Sequence, residues 1–260
     1  MTARPAQPRP ATPPPGYLVR PPDPEAPLRL FCFHHAGGTA SIYNGWDRAL
    51  APGISVVPVQ LPGRERRVRE PRVVDLGTLV TQLQHHLGPH LDAPYALYGH
   101  SMGALVAYAL TRARHAAGQR LPDRLLVGAY PAPHRQPVLT GTRDMTEEQL
   151  SELLVDIGGM SPLLLQYPEW RTAALELIRD DLQICHRHRH TTAPPLPCPV
   201  DALTGTEDPL LTRAQAAEWA DHAGGEFAVH GIPGGHLFLR DSAAAVHTLL
   251  RGLLTADARS

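Results

Sequence analysis

A serine flanked by glycines is the first candidate for chemistry in this sequence. Residues 99–103 read Gly-His-Ser-Met-Gly, after an apolar run at 95–98 and before a helical pattern at 102–117. Glycines two positions before and after the serine permit a sharp turn between a strand and a helix, which presents the hydroxyl beside the helix N-terminus. The pattern therefore predicts that Ser101 is a nucleophile; the alternative is a serine that only caps the helix.

A nucleophilic serine needs a base within hydrogen-bonding distance, because its hydroxyl is a poor nucleophile at neutral pH. The chain has 15 histidines that could serve. When the nucleophile sits on such a strand-to-helix turn, the base follows the last strand and precedes the final helix. His236, in the segment 232–239, occupies that position. His230, in or at the end of a strand, and His222, inside a helix, are the alternatives. We predict that His236 is the base.

The base in turn needs an acid that orients it, and this acid is expected between the serine and the histidine. The segment 204–210 follows a predicted strand at 200–203, at the edge of a sheet where loops carry functional groups. Asp208 is preferred to its neighbour Glu207, because a short side chain before Pro209 is better fixed. A carboxylate there would accept a hydrogen bond from the second ring nitrogen of His236 and stabilise its protonated form.

Acyl transfer also needs N–H donors for the oxyanion of the tetrahedral intermediate. Met102 follows the nucleophile and is predicted to supply one backbone N–H. The second is expected from the loop after an early strand, and the segment 33–38, Phe-His-His-Ala-Gly-Gly, has that position. We predict that Ala36 is this donor; the alternative is a glycine turn with no part in catalysis.

The elements that must position these residues alternate along the chain. Strand patterns occur at 30–33, 54–59, 95–98, 125–130, 200–203 and 226–230, and helical patterns at 76–87, 102–117, 212–222 and 242–254. Strands that alternate with helices are typical of a parallel sheet covered on both faces. The sequence therefore predicts the α/β class, with a mostly parallel central sheet flanked by helices.

Two segments depart from this alternation. Residues 137–190 contain two or three amphipathic helices and no convincing strand, which predicts a helical lid inserted into a core formed by 28–136 and 191–256. An extra packing layer with no gating role is the alternative.

The first 27 residues hold ten of the 28 prolines, which predicts a disordered arm over 1–27. A proline-rich recognition peptide is the alternative there.

Composition excludes several classes of protein. With 24 basic and 25 acidic residues the net charge is -1, so no overall basic field exists to hold nucleic acid. No apolar run approaches the roughly 18 residues of a membrane-spanning helix. Three cysteines without a CxxC pair indicate a reducing compartment. We therefore expect a cytoplasmic protein that binds neither nucleic acid nor membrane.

Taken together, six segments resemble one family, the type II thioesterases that accompany polyketide and nonribosomal peptide synthases. They are 33–38, Gln-Leu-Pro-Gly-Arg-Glu-Arg-Arg at 60–67, 99–103, 177–182, 205–208 and 233–239. The resemblance extends over roughly residues 29–254 and is specific only when the motifs are taken jointly. The proline-rich segment before Tyr17 is not part of the family pattern.

The resemblance implies an α/β-hydrolase fold and the removal of acyl or aminoacyl groups from the phosphopantetheine arm of an acyl or peptidyl carrier protein. It maps Ser101, Asp208 and His236 onto a catalytic triad, and Ala36 and Met102 onto an oxyanion hole. It also implies an editing role, with no metal or organic cofactor. A monomer is the default expectation. The alternatives are a carboxylesterase or lipase, an acyltransferase, and a catalytically silent module that binds carrier proteins.

Two basic segments are predicted to be solvated. The first carries Arg64, Arg66, Arg67, Arg69 and Arg72, and contact with an acidic carrier protein or its phosphate is the alternative. The second, Cys-His-Arg-His-Arg-His at 185–190, is expected at the exposed end of a helix, with metal binding as the alternative.

Overall fold

The computed structural model describes residues 16–256 and is built around one six-stranded sheet. Its strands are β1 (Leu28–Phe33), β2 (Ile54–Val59), β3 (Tyr95–His100), β4 (Arg124–Gly128), β5 (Val200–Gly205) and β6 (Phe227–Ile232). They lie in the order β2-β1-β3-β4-β5-β6, and every neighbouring pair is parallel. The predicted α/β class with a parallel central sheet is confirmed.

Helices connect the strands and cover the sheet. They are α1 (Trp46–Leu50), α2 (Leu76–Leu87), α3 (Met102–Ala116), α4 (Glu147–Asp156), α5 (Pro168–Arg187), α6 (Arg213–Ala217), α7 (Phe238–Asp241) and α8 (Ala243–Ala256). Short 3₁₀ helices occur at Ala40–Tyr43, Glu65–Arg67, Gly88–His90, Val138–Asp144, Pro162–Gln166 and Glu218–His222. Within the described residues, no helix is both long and apolar enough to cross a bilayer.

The sheet is buried on both faces, which explains why its strands are continuous apolar runs. β3, β4 and β5 are buried along their whole length, as expected for parallel strands covered by helices. Successive side chains point to opposite faces, so Phe31 and Phe33 of β1 belong to one apolar layer, and Leu30 and Cys32 belong to the other. The carboxyl ends of all six strands therefore meet at one edge, where the loops of interest begin.

Several predicted boundaries differ from the structure, and two of the differences involve a change of backbone conformation. The strand predicted over 125–130 ends at Gly128, because Ala129 has φ 53° and leaves the extended conformation. The helix predicted over 212–222 is α-helical only to Ala217 and continues as a 3₁₀ helix to His222. The buried Trp219 lies in that tightened turn and donates from Nε1 to the carbonyl of Tyr130 at 2.9 Å.

The predicted disordered arm is wrong for residues 16–27, while residues 1–15 lie outside the described part of the chain. Tyr17 is buried and packs with the apolar layer that α2 and α3 cover. Its carbonyl accepts from the Gln60 N–H at 2.7 Å, and Leu18 forms an antiparallel bridge with Val59. The buried Tyr17 ring, together with hydrogen bonds from this segment to β2 and Arg66, holds residues whose prolines argue against regular structure.

The residues from 137 to 190, which we call the helical insertion, form a 3₁₀ helix, α4, a second 3₁₀ helix and α5. A capping box begins α4, with Thr146 and Gln149 hydrogen-bonded to each other's backbone N–H. Leu150 and Leu154 of α4 pack against Leu175 and Ile178 of α5 in a small apolar cluster of their own. The insertion thus has an apolar cluster of its own, while Ile184 and Cys185 near the end of α5 belong to one of the two layers that cover the sheet.

Candidate active site

Ser101 lies on a strained turn between β3 and α3. Its φ of 53° and ψ of −122° lie outside the regions that non-glycine residues normally adopt, and its N–H donates to the Gly128 carbonyl at 2.7 Å. The flanking glycines are required by close approach. A Cβ at Gly99 would lie 2.1 Å from the Gly103 carbonyl oxygen, and one at Gly103 would lie 2.1 Å from that of Phe33. The end of β1 is therefore in close contact with the turn at Ser101.

The structure brings the three predicted catalytic residues together. Nε2 of His236 lies 3.1 Å from Oγ of Ser101, and Nδ1 lies 2.9 Å from Oδ2 of Asp208. All three side chains are shielded from solvent: Ser101 is 6% exposed, and the side chains of His236 and Asp208 are 6% and 0% exposed. Oδ1 of Asp208 also accepts from the Leu210 N–H at 2.8 Å, which fixes the carboxylate.

These contacts determine which ring nitrogen of His236 carries the proton. A carboxylate can only accept, so Nδ1–H donates to Asp208, and the other nitrogen of a neutral imidazole is then free to accept. Nε2 therefore accepts from the Ser101 hydroxyl, which is the arrangement that a general base requires. Chemically, the group can remove a proton from a serine as its oxygen attacks a carbonyl carbon.

The alternatives considered for the base and the acid are engaged elsewhere. His230 hydrogen-bonds from Nε2 to Asp201 at 2.7 Å, near the amino end of β5 and away from the edge where Ser101 lies. His222 hydrogen-bonds to Nδ1 of His134 at 2.8 Å. Glu207 is exposed to solvent. The geometry therefore singles out His236 and Asp208, while their catalytic roles stay predictions.

One predicted oxyanion donor lies in the turn at Ser101, and the other lies in the loop after β1, which begins in contact with Gly103. Met102 is the first residue of α3, and Ala36 is in the loop after β1. The next residue in that loop, Gly37, donates its N–H to Oδ2 of Asp181 on α5 at 2.8 Å. The helical insertion is therefore hydrogen-bonded to the loop that contains Ala36. The part played by Ala36 and Met102 in catalysis stays a prediction.

A buried ion pair adds to this contact between the insertion and the loop. It also corrects the expectation that the arginine segment is solvated. Arg64 donates through both terminal nitrogens to Asp181, at 2.6 and 2.8 Å, and the two side chains are 4% and 1% exposed. Arg67 is buried as well, over the ring of Tyr17, and Arg72 pairs with Asp180 at 2.9 Å. Arg64 and Arg67 are buried because carboxylates and carbonyls are available to pair with them, whereas Arg66 and Arg69 are exposed as predicted.

His100 is a supporting residue that the sequence reasoning missed. It is fully buried, and its Nε2 donates to the carbonyl of His236 at 2.7 Å, while the Tyr98 hydroxyl donates to Nδ1 at 3.1 Å. Burial, with the nearby His236, holds the pKa of His100 well below its usual value, so the ring stays neutral. Its position beside Ser101 was visible in the sequence, but its contact with a residue 136 positions later was not.

A cavity at the nucleophile is enclosed by the sheet edge and the helical insertion. It has a volume of about 20 Å³ and is lined by Ser101 and His236, by Tyr130 after β4, and by Leu182 and Cys185 of α5, among others. Cys185 is buried here, so the segment 185–190 is not solvated along its whole length. Among residues 16–256, no group of three His, Cys, Asp or Glu side chains is arranged to hold a metal ion.

Comparison with known proteins agrees with this geometry. The model of the thioesterase domain family matches residues 28–253. The chain is 33% identical over 234 residues to Linear gramicidin dehydrogenase LgrE of Brevibacillus parabrevis, covering 88% of this chain and 89% of that protein.

Two solved structures are similar over almost the whole chain. The RedJ thioesterase from the prodiginine pathway of Streptomyces coelicolor has a TM-score of 0.83 and 35% identity, covering 94% of this chain and 91% of RedJ. The type II thioesterase BorB from the borrelidin cluster has a TM-score of 0.79 and 36% identity, covering 92% of this chain and 96% of BorB. The chain therefore belongs to the thioesterase domain family, as a type II thioesterase with the α/β-hydrolase fold.

Proposed function

We propose that this thioesterase removes acyl or aminoacyl groups from the phosphopantetheine arm of acyl or peptidyl carrier proteins, as an editing enzyme of polyketide or nonribosomal peptide synthesis. The observation that carries the proposal is the hydrogen-bonded series from Ser101 through His236 to Asp208, at 3.1 and 2.9 Å. Relatives that belong to such pathways support the setting. We expect the enzyme to act in the cytoplasm as a monomer.

In the proposed reaction, Oγ of Ser101 attacks the thioester carbonyl carbon while Nε2 of His236 takes the hydroxyl proton. The tetrahedral intermediate collapses as the carbon–sulfur bond breaks, and the imidazolium gives its proton to the departing thiolate. Water then attacks the acyl-serine, with His236 again as the base, and releases the acid. Asp208 stabilises the imidazolium in both halves. Because every acid, base and donor is a protein group, the reaction needs no metal or organic cofactor.

The N–H groups of Ala36 and Met102 are proposed to bind the oxyanion in both halves of the reaction. Met102 contributes through the N-terminus of α3, whose dipole favours negative charge. The loop of Ala36 is supported from the other side by Asp181, which accepts from the neighbouring Gly37 N–H and is itself neutralised by Arg64. Asp181 and Arg64 are thus positioning residues, since they act through the loop and touch no reacting atom.

The helical insertion is proposed to act as the lid of this site, and the core is proposed to comprise 28–136 and 191–256. Leu182 and Cys185 of α5 form part of the cavity wall, so moving α5 would open the cavity. Closing it over a bound acyl group would exclude bulk water from the acyl-enzyme until the arm has left.

A groove lined with arginines supports a carrier protein as partner. It has a volume of about 340 Å³ and shares Leu182 with the cavity at Ser101. Four arginines line it, and its described lining includes no carboxylate; they are Arg143, Arg179, Arg187 and Arg189. Guanidinium groups suit the phosphate of a phosphopantetheine arm and acidic protein surfaces. We therefore assign the proposed contact with the carrier protein to this groove on the insertion, and not to the arginines at 64–72.

The proposal is tested by intact-protein mass spectrometry of a panel of carrier proteins loaded with acyl and aminoacyl groups, before and after incubation with the enzyme. We expect loss of the acyl mass with the wild type and none with Ser101→Ala. Higher kcat/KM on p-nitrophenyl esters than on any loaded carrier would indicate a general esterase instead. Appearance of an amide or ester product in place of free acid would indicate an acyltransferase. Unchanged turnover by Ser101→Ala would contradict the role of Ser101, and no turnover of any loaded carrier by the wild type would indicate a silent binding module.

A further inference from the structure

Tyr130 lines the cavity at Ser101, and among the described residues its buried hydroxyl has only the thiol of Cys185 as a partner. Tyr130 is 4% exposed, lines the cavity together with Ser101 and His236, and its Oη makes no hydrogen bond with an oxygen or nitrogen of any described residue. A buried hydroxyl without an oxygen or nitrogen partner costs free energy, and such groups in folded proteins are normally satisfied by water or by a ligand. The cavity of about 20 Å³ has room for about one water molecule beside it.

The backbone around Tyr130 is held in place on both sides. The N–H of Ala129 donates to the Leu203 carbonyl at 2.9 Å, and the carbonyl of Tyr130 accepts from Nε1 of the buried Trp219 at 2.9 Å. Ala129 also has φ 53°, which ends the strand just before Tyr130. The position of Tyr130 in the cavity wall is therefore fixed by the fold.

The thiol of Cys185, to which the Tyr130 hydroxyl is hydrogen-bonded, is a weak hydrogen-bonding group that an oxygen acceptor can replace. Burial raises the pKa of this thiol to about 12, and burial also raises the pKa of Tyr130 well above its usual value. Both groups are therefore neutral at physiological pH. A neutral phenol in an enclosed site can donate to one acceptor and has no charge with which to hold an ion.

The rest of the wall restricts what that acceptor can be. Beyond Ser101, His236 and these two residues, the described lining is apolar: Ala129, Pro131, Pro137, Leu182 and Leu210. An ammonium group placed beside Tyr130 would have no carboxylate to pair with, and a carboxylate would have no arginine. Either charge would be left without compensation, which is strongly unfavourable in an enclosed cavity. A neutral oxygen has no such penalty.

We propose that Tyr130 is a specificity-determining residue that donates a hydrogen bond to a neutral oxygen substituent on the acyl group. The preferred substrates would then be thioesters of short hydroxyacyl or ketoacyl units, ahead of plain hydrocarbon acyl units and of aminoacyl units. This inference rests on the proposed thioesterase function of the same site. It assigns to that site the chemical class of its acyl group.

The test compares three substrates that share one carrier protein and one carbon chain: 3-hydroxybutyryl, butyryl and 3-aminobutyryl thioesters. For the wild type we expect kcat/KM to be highest for the hydroxyacyl thioester. In Tyr130→Phe, which removes only the hydroxyl, the hydroxyacyl-to-butyryl ratio of kcat/KM should fall about 10-fold or more, since one buried hydrogen bond is lost. Tyr167→Phe, which alters a half-exposed tyrosine of the insertion, is the control and should keep the wild-type ratio.

Two outcomes separate this inference from the proposed function. If the wild type hydrolyses hydroxybutyryl and butyryl thioesters and the ratio is the same in Tyr130→Phe, the role of Tyr130 is overturned and the thioesterase function stands. If the wild type hydrolyses no loaded carrier of any acyl class, the proposed function fails and this inference fails with it. Thermal unfolding of Tyr130→Phe checks that the fold is intact. Within residues 16–256 the hydroxyl that is removed has only the weak thiol partner, so Tm should change little.

Discussion

The central sheet and the helical insertion are stabilised by different kinds of contact. The sheet is flanked by two large apolar layers, and its strands pair with one another along their whole length. The insertion has a small apolar cluster of seven buried side chains. It is attached to the rest of the molecule by Ile184 and Cys185, which lie in one of the two large layers, and by polar contacts to the loops at the sheet edge. The buried pair of Arg64 with Asp181 and the half-exposed pair of Arg72 with Asp180 are the ionic part of that attachment.

This difference explains where the chemistry lies. Ser101, Asp208 and His236 follow β3, β5 and β6, so their separations are set by the rigid pairing of parallel strands. The insertion supplies part of the cavity wall and supports the loop of Ala36 through directional contacts, the Gly37 N–H to Asp181 and the pair of Asp181 with Arg64. The sheet thus sets the separations of the three candidate residues, and the insertion encloses the cavity beside them.

The largest effect should come from removing the nucleophile that the sheet positions. We expect Ser101→Ala to lower kcat by a factor of about 10⁴ or more, because neither the base nor the oxyanion donors can act without the attacking oxygen. Steady-state hydrolysis of an acyl-loaded carrier measures this. Tm should stay close to that of the wild type, and a large drop in Tm would mean that the loss reflects unfolding.

Asp208→Asn should lower kcat by about 10³- to 10⁴-fold, since an amide cannot hold the His236 tautomer or stabilise the imidazolium. Glu207→Gln is the matched control, because it makes the same chemical change at the neighbouring, exposed position and should have almost no effect. Equal losses in the two variants would contradict the assignment of Asp208. The kinetics should be compared on one loaded carrier at one pH.

Breaking the buried ion pair tests the attachment of the insertion. Asp181→Leu leaves Arg64 buried without a partner, and we expect it to lower the free energy of unfolding by about 3–5 kcal/mol. Asp47→Leu removes a carboxylate whose pair with Arg20 is about half exposed, and it should cost about 1 kcal/mol or less. Chemical denaturation measures both.

The double variant Arg64→Met, Asp181→Leu separates stability from positioning. Most of the stability should return, because no buried charge is left alone. The kcat should remain below that of the wild type, because the Gly37 N–H has lost its acceptor. A double variant with wild-type kcat would show that the ion pair has no part in positioning the loop of Ala36.

The smallest effect concerns pH. His35 lies in the loop between the sheet and the insertion, and burial lowers its pKa to about 4, with only partial compensation from its hydrogen bond to the Ala36 carbonyl. An unfolded histidine titrates near pH 6.5. Between these values the unfolded chain binds a proton that the folded chain does not, so stability is complete above pH 6.5 and falls as the pH drops toward 4.

We therefore expect His35 to contribute about 1 kcal/mol to the loss of stability between pH 7 and pH 5.5. In His35→Gln, denaturation curves at the two pH values should differ by that much less than in the wild type. His85→Gln, at an exposed position, is the control and should keep the wild-type difference. An unchanged pH dependence in His35→Gln would contradict the neutral, buried state of this ring.

Local patterns in the sequence were sufficient to predict the sheet and the three candidate residues that the structure brings together. Burial on both faces requires the apolar runs of β3 and β5, and short-range sterics require the glycines around Ser101. Both patterns are visible in the sequence. The end of β4 could not be read in this way, because Ala129 adopts a positive φ that nothing in its side chain requires. The buried position of Tyr17 could not be predicted either, because the prolines around it are typical of a disordered segment.

The sequence by itself determined the fold class and the residues able to do chemistry, because strand periodicity and the turn at Ser101 depend on neighbours a few positions apart. Only the tertiary structure decided which arginines are surface groups and which are internal, and that His100 supports His236. Asp181 reaches Arg64 across 117 positions and Gly37 across 144. Such pairings depend on where distant segments meet, and a buried charge or hydroxyl reveals its role only when its surroundings are known.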